Sequence, residues 1–278
     1  MGPVASDGRI GDSVRVVVPS HVLPSGMAMA GFRAQRSIGD LQVVPYPAVT
    51  LFLDLGDAPV HVDDGDGRTL SGSVAIGLAP KSLRGHGSDV ECLQVRLSPL
   101  LAHAIGMPSE FGSAAAVTDV WGRPAARLES RLRHASSWEQ RFALVAEAVA
   151  SLASGSGARD PEVAQAWRRL VVSHGSARVE ALAAEVGWSR KRLWSRFRAQ
   201  TGLTPKGAGR LIRFDRAVHR LARGSAPGTV AAEVGYADQS HLSREVADFT
   251  GSTPSAIATA PWLDVDDVAW RNPGYTAV

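Results

Sequence analysis

Near its C-terminus the chain spells almost the same six residues twice: Ala183-Ala184-Glu185-Val186-Gly187-Trp188 recurs as Ala231-Ala232-Glu233-Val234-Gly235-Tyr236. After each copy comes a short helical pattern, then a Gly and a Thr-Pro: Gly202 with Thr204-Pro205, and Gly251 with Thr253-Pro254. A stacked-repeat solenoid needs at least three units to bury its core. A twofold repeat therefore constrains this segment to a pair of similar small helical units.

In the first unit, residues 179–186 form an amphipathic pattern with Leu182, Ala183 and Val186 inward. Gly187-Trp188 makes the turn, and Ser189 is placed to cap the next helix. On that helix Leu193 and Phe197 are four apart and face the core, which puts Arg190, Lys191, Trp194, Ser195 and Arg198 on the outer side. In the second unit Asp238 caps a helix with Leu242 and Val246 inward and Gln239, Ser240, His241, Ser243 and Arg244 outward. Gln suits bidentate contact with adenine and Arg with guanine, while Ser and His serve bases or phosphates; an apolar Trp194 suits a thymine methyl. Two short helices joined by a Gly-bearing turn, with a polar outer face on the second, describe a helix-turn-helix that enters the major groove. Trp188 and Tyr236 sit at the turns, where packing between helices is the expected role.

Thr204-Pro205 opens a helix between the units that reaches about residue 223. Its length of ~28 Å suits two reading helices roughly one DNA turn, ~34 Å, apart. Lys206, Arg210, Arg213, Arg216 and Arg220 load it with positive charge, and the first three are the expected phosphate contacts.

Charge follows the same division. Residues 159–260 hold 16 Lys and Arg against 9 Asp and Glu, a net of +7, while the remainder holds 14 against 18, a net of −4. Only the C-terminal part is thus suited to a polyanion. Upstream, residues 14–18, 41–44, 49–53, 73–78 and 92–97 read as short strands separated by turn-rich pieces, a pattern of small sandwiches and barrels. Helical patterns take over at 99–105 behind Ser98-Pro99, at 124–134, and at 138–152 behind Ser137. Ser154-Gly155-Ser156-Gly157 is the most linker-like stretch, and Asp160-Pro161 caps the next helix. The expected class is α+β. A β-rich domain at 1–153, with strands to about 97 and helices after, precedes a linker at 154–159. An all-α domain at 160–260 follows, then a tail at 261–278 that carries Trp262, Trp270 and Tyr275.

The block from about 161 to 260 resembles the DNA-binding domain of the AraC/XylS family of bacterial transcription regulators. The resemblance rests on Leu182-Ala183, Gly187, Ser189, Leu193, Phe197 and Gly202 with Thr204-Pro205. In the second half it rests on Val230-Ala231, on the run from Val234-Gly235-Tyr236-Ala237-Asp238 through Gln239 to Arg244, and on Thr250-Gly251 with Pro254. It implies base contacts from Lys191, Trp194 and Ser195, and from Gln239, Ser240, His241, Ser243 and Arg244. Departures are Val246, where the family usually has Phe, and Glu245, where an acid is unusual; Phe249 is the expected replacement in the core. The resemblance further implies a one-component regulator. Its N-terminal domain senses a small-molecule effector and pairs two chains through the helices at 124–152, and RNA polymerase is a partner where such a protein activates. Double-stranded promoter DNA is the principal partner.

Other readings are weaker. No apolar run approaches the ~18–20 residues of a spanning helix, and the start lacks a charged-then-apolar secretion signal, so no membrane role is expected. The lone Cys92 suits a reducing cytoplasm. His61, Asp63, Asp64 and Asp66 lack the spacing and closing Glu of an EF-hand and read as a polar hairpin turn, so neither metal nor cofactor is expected. The rival class is an enzyme on a DNA-binding module, such as a repair protein using Cys92 as acceptor. No reactive-Cys motif surrounds that residue, and the expectation is a non-enzyme.

Overall fold

In the computed structural model, residues 8–10, 14–34, 38–64, 67–78, 83–108, 113–154, 160–259 and 269–270 are described. A seven-stranded antiparallel sheet carries the N-terminal domain. It contains β1 (Gly8–Ile10), β2 (Val14–Val17), β3 (Met27–Ala34), β5 (Val49–Asp54), β8 (Val74–Ile76), β10 (Glu91–Leu97) and β11 (Ala114–Ala116), in the order β1-β2-β3-β10-β5-β8-β11. A second sheet holds β4 (Ile38–Gln42), β9 (Arg84–Gly87), β6 (His61–Asp63) and β7 (Thr69–Ser71), in the order β4-β9-β6-β7.

Register fixes what each face does. Leu93, Val95 and Leu97 of β10 stand opposite Gly31, Met29 and Met27 of β3, and opposite Leu53, Leu51 and Val49 of β5. Side chains alternate between faces along a strand, so these residues share one face. Three helices cover it: α1 (Pro99–Ala104), α3 (Arg123–His134) and α4 (Trp138–Ser154), through Leu101, Leu128, Leu132, Phe142, Val145 and Val149. The opposite face meets the small sheet, where Val74 and Ile76 pack with Val62, Leu70 and Leu83, and Cys92 with Ala34, Val60 and Val90. The sandwich expected from the strand spacing is thus present as two facing antiparallel sheets. The short α2 (Val117–Trp121) follows β11.

Two differences from the sequence reading have physical causes. Strand β3 is central, yet its sequence Met-Ala-Met-Ala-Gly-Phe-Arg-Ala offers no β-branched residue and no polar alternation, because most of it is buried on both faces. Strand β11 lies beyond residue 97, so strands do not stop there; three alanines add an edge to β8.

The helical half contains α5 (Pro161–Val172), α6 (Val179–Glu185), α7 (Arg190–Thr201), α8 (Pro205–Ala222), α9 (Pro227–Val234), α10 (Gln239–Thr250) and α11 (Pro254–Ala258). The expected caps at Ser98, Ser137, Ser189, Thr204 and Asp238 all form, each oxygen accepting from the N–H three residues on. Asp160 is the exception. It sits at the N-cap without a side-chain cap bond, because its carboxylate is held by Arg196 at 2.6 and 2.8 Å. Of the linker expected at 154–159, Ser154 is instead the last residue of α4, and residues 155–159 lie outside those described. Most of the tail is likewise outside them. Ala269 and Trp270, however, pack on the N-terminal sheet with Val16, Ala28, Ala30 and Ala48. There the buried Arg96 guanidinium lies between the rings of Tyr46 at 3.5 Å and Trp270 at 4.0 Å. Among the described residues no helix is long and apolar enough to cross a membrane.

Candidate nucleic-acid interface

The two copies of the echo become two matching corners. Gly187 and Gly235 both have left-handed backbone, at φ 69° and 87°, which only glycine adopts without a steric penalty. They turn α6 into α7 and α9 into α10. In the first corner Leu182, Ala183, Leu193 and Phe197 are buried, together with Trp167 and Leu170 of α5. On the other side of α7, Arg190, Lys191, Trp194, Ser195 and Arg198 are all exposed. Their spacing of 0, 1, 4, 5 and 8 places them on one face of a 3.6-residue helix. Trp194 is 46% exposed, an unusual state for so large an apolar ring, and the Arg198 guanidinium lies 5.5 Å from its ring centre. Trp188 packs at the turn against the core of the first corner, with Arg192 over it at 4.4 Å. Arg190 is also paired with Glu180 of α6 at 3.1 Å. Both groups are mostly exposed, so the pair exchanges readily with water or phosphate.

In the second corner Val230, Ala231, Val234, Leu242 and Val246 are buried. Gln239, Ser240 and Arg244 are exposed, while His241 and Ser243 are half-buried. His241 lies edge-on to Tyr236 at 5.3 Å, and the Ala237 N–H donates to its Nδ1 at 3.4 Å. An accepting Nδ1 places the neutral ring's proton on Nε2, which makes this edge a donor suited to a purine acceptor or a phosphate. The Asp238 carboxylate accepts from the His241 N–H at 2.7 Å and so faces the helix N-terminus, where negative charge is stabilised.

The acid that departs from the family pattern has a structural partner. Glu245 is 3% exposed, and a lone buried carboxylate would cost several kcal/mol. It accepts from Arg210 Nε at 2.8 Å and from the Tyr236 hydroxyl at 3.1 Å, and Arg210 Nη2 also reaches Asp248 at 3.1 Å. Burial, together with the Glu245 charge, pushes the Tyr236 phenol well above its usual value. The hydrogen bond with Glu245 raises Arg210 further. Val246 is fully buried, and Phe249 packs against Phe214 of α8 with ring centres 4.6 Å apart.

The same network engages part of the linker helix. Of Lys206, Arg210 and Arg213, only Lys206 is exposed. Arg210 is taken by Glu245 and Asp248. Arg213 is half-buried and donates from Nη1 to the Gly175 carbonyl at 3.3 Å. Arg220 is paired with Glu233 of α9. Arg210, Arg213 and Arg220 thus each have a partner within the protein. Gly175 and Gly209 make the tightest of these crossings, since a Cβ on Gly175 would lie 2.2 Å from the Gly209 carbonyl oxygen.

Two further side chains at this site were not legible as functional. Leu100 of α1 is fully buried in the core of the first corner, beside Phe197 and Trp167. Gln42, at the end of β4, donates from Nε2 to the Thr250 carbonyl and accepts at Oε1 from Ser252 Oγ at 3.0 Å. Partners this distant in sequence leave no local signal. Near Leu100, burial holds the His103 imidazole below its usual value; the Arg196 charge adds to this and Asp160 opposes it. The hydrogen bonds from Arg196 hold the Asp160 carboxyl low.

The residues weighed for other chemistry lie elsewhere. Cys92 is buried between the sheets, and burial, with help from Asp54 and Glu91, pushes its thiol up to about 12. His61 and Asp63 are on β6 of the expected hairpin; His61 stacks on His86 at 5.3 Å, and Asp63 lies 3.4 Å from His86 Nδ1. Asp66 is outside the described residues. Among those described, no group of three or more His, Cys, Asp or Glu is placed to hold a metal ion.

Comparison with known proteins agrees with this geometry. A family model described as a helix-turn-helix domain matches residues 182–260. The bifunctional transcriptional activator/DNA repair enzyme Ada of Escherichia coli K12 is 29% identical over 168 residues, covering 57% of this chain and 47% of its own length. The chain thus spans about half the length of that curated relative. Among solved structures, ToxT from Vibrio cholerae O395 overlaps 84% of this chain and 97% of its own, at 12% identity and a TM-score of 0.48. The AraC-like transcriptional activator CuxR overlaps 77% and 88%, at 17% identity and a TM-score of 0.32. Overlaps this loose place no residue.

Proposed function

We propose that this AraC/XylS-type DNA-binding transcription regulator reads two successive major-groove segments of promoter duplex, one with α7 and one with α10. The observation that carries the reading is the two-sidedness of both helices. α7 buries Leu193 and Phe197 and presents Arg190, Lys191, Trp194, Ser195 and Arg198, while α10 buries Leu242 and Val246 and presents Gln239, Ser240 and Arg244. At 18 residues α8 is ~27 Å long, which suits reading heads about one DNA turn apart. Lys206 and the outer arginines of α7 would contact phosphates, which position the protein without specifying sequence. The N-terminal domain is read as the sensor and pairing unit, with a small-molecule effector as its ligand and the cytoplasm as its place of work. The linker, read at 155–159 beyond the end of α4, divides it from the DNA-binding domain.

Footprinting of the full-length protein on its own upstream region tests this. Two protected major-groove segments on one face of the duplex, with affinity falling steeply as salt rises, are the expected outcome. A single protected segment or a flat salt response refutes it.

A second reading has one observation behind it, the bifunctional relative Ada. Repair chemistry at Cys92 would need an accessible thiolate. Burial and a value of about 12 give Cys92 the opposite character, which favours the regulator reading over repair chemistry at this residue.

A further inference from the structure

The N-terminal domain touches both reading heads, and at neither does it cover the outward face. At the first, α1 packs on α7 and seats Leu100 among Trp167, Leu193 and Phe197. Arg196 of the same helix grips Asp160, whose N–H donates to Gln200 Oε1 at 3.3 Å. At the second head, whose buried core runs on into that of the N-terminal domain, the polar contact is made by Gln42. Gln42 donates to the carbonyl of Thr250, the last residue of α10, and accepts from Ser252 just past the Gly251 cap. Carbonyls in the last turn of a helix have no partner within it, so Gln42 completes the end of α10 from another domain. Between the two contacts, the Tyr46 ring lies 6.4 Å from that of His219 on α8.

We infer that the N-terminal domain is a splint for the two heads. Leu100 and Gln42 are positioning residues that fix α7 and α10 relative to one another, and through them the state of the N-terminal domain reaches the DNA. This rests on the two-segment reading proposed above. The direction of the effect follows from exposure. Arg190, Lys191, Trp194, Ser195, Gln239, Ser240 and Arg244 all face solvent while the domain is docked. A brace that leaves both reading faces open pre-organises binding. Once one head is bound, the other engages at an effective concentration set by how firmly it is held. Loosening the brace lowers that concentration and leaves a single head's own affinity unchanged.

The test uses full-length protein and two duplexes: the footprinted site, and the same site with the α10 segment scrambled. Gln42→Ala removes two hydrogen bonds that involve no DNA-facing side chain. It is expected to weaken binding to the intact site roughly tenfold, the scale of one or two net hydrogen bonds, and to leave the scrambled site within about twofold. Leu100→Ala, which loosens the first corner, is read on a third duplex with the α7 segment scrambled instead; where its melting curve shows it folded, it should weaken the intact site and leave that third duplex within about twofold. Unchanged affinity on both duplexes overturns the inference, as does an equal loss on both, which marks general destabilisation. Tighter binding by Gln42→Ala also overturns it, since the contact would then be inhibitory. If the unsubstituted protein binds the scrambled duplex as well as the intact one, it is the two-segment reading that fails.

Discussion

Replacing Arg210 by Met decides whether the most deeply engaged arginine of the linker helix is a clamp or a phosphate contact. In the folded chain Arg210 holds a Glu245 side chain that is 4% exposed, through Nε at 2.8 Å, and Asp248 through Nη2 at 3.1 Å. Without the guanidinium, Glu245 is a buried carboxylate beside the Tyr236 hydroxyl. Removing one partner of a buried pair costs about 3–5 kcal/mol. Arg210 is 37% exposed, so solvent screens part of the interaction and ~2–3 kcal/mol is the better figure. For a chain of 278 residues that corresponds to a fall of about 3–5 °C in Tm. Adding Glu245→Leu removes the charge that needs a partner, and the double variant should recover at least half of the loss. Affinity for the operator, measured by fluorescence anisotropy at several salt concentrations, supplies the independent readout. Each phosphate contact contributes about 0.9 to the slope of log affinity against log salt. Arg210→Met should leave that slope unchanged, whereas Lys206→Ala should lower it by about 0.9 with little change in Tm. A lowered slope for Arg210→Met with an unchanged Tm would place the guanidinium on the DNA backbone and refute the clamp.

Three further outcomes follow from the same geometry. Cys92, with its thiol pushed up to about 12, should label with iodoacetamide at pH 8 at least ~10³-fold more slowly in the folded protein than in urea, where an ordinary thiol near 8.5 is partly ionised; comparable rates would reopen the nucleophile reading. The folded value of His103 lies below its unfolded one. As pH falls below about 6.5 the unfolded chain therefore takes up a proton that the folded chain resists, and stability declines; Tm measured from pH 7.5 to 5.5 should fall less for His103→Gln than for the unsubstituted chain, and an identical fall would remove His103 from that linkage. Trp194→Ala should cost about 1–2 kcal/mol at the specific operator and almost nothing on unrelated duplex, with little change in Tm because the residue is already 46% exposed; equal losses on both duplexes would mark it as a non-specific contact.

What could be read from the sequence and what could not divide by the range of the interactions. Ser189, Thr204 and Asp238 announce their helices because a cap is satisfied three residues away. The outer faces of α7 and α10 are legible because 3.6-residue periodicity separates them from Leu193, Phe197, Leu242 and Val246. Strand β3 gave no such signal: it is buried on both faces, and the alternation that marks a half-buried strand is missing. Arg210 and Arg213 could not be distinguished from solvated or phosphate-binding arginines by spacing alone, because their partners lie about 35 residues away in sequence, at Glu245 and Gly175. Asp160 has the residue type and position of a cap, yet a bidentate arginine outcompetes a backbone N–H for its carboxylate. The unusual acid at 245 was visible as a departure, but its meaning lay in Arg210 and Tyr236 together.

The two halves of the echo are unequal in a way that bears on how the DNA-binding half can be studied. The second corner is tied to α8 by its own residues, through Glu245, Arg210 and the Phe249–Phe214 contact. The first corner borrows Leu100 from the N-terminal domain to close a core that also contains Trp167 and Phe197. A fragment starting at residue 160 would keep every residue of both reading faces. It would lose the side chain that fills one core and the amide that ends one reading helix. Loss of a buried Leu side chain costs about 2–5 kcal/mol, a large share of a total stability of ~5–15 kcal/mol. The fragment is therefore expected to retain the second corner and loosen the first, with amide exchange in α7 and α5 accelerating well before that in α10. Uniform protection across α5, α7 and α10 in the isolated fragment would show that the first corner closes without Leu100, and the N-terminal domain would then have no structural hold on that reading head.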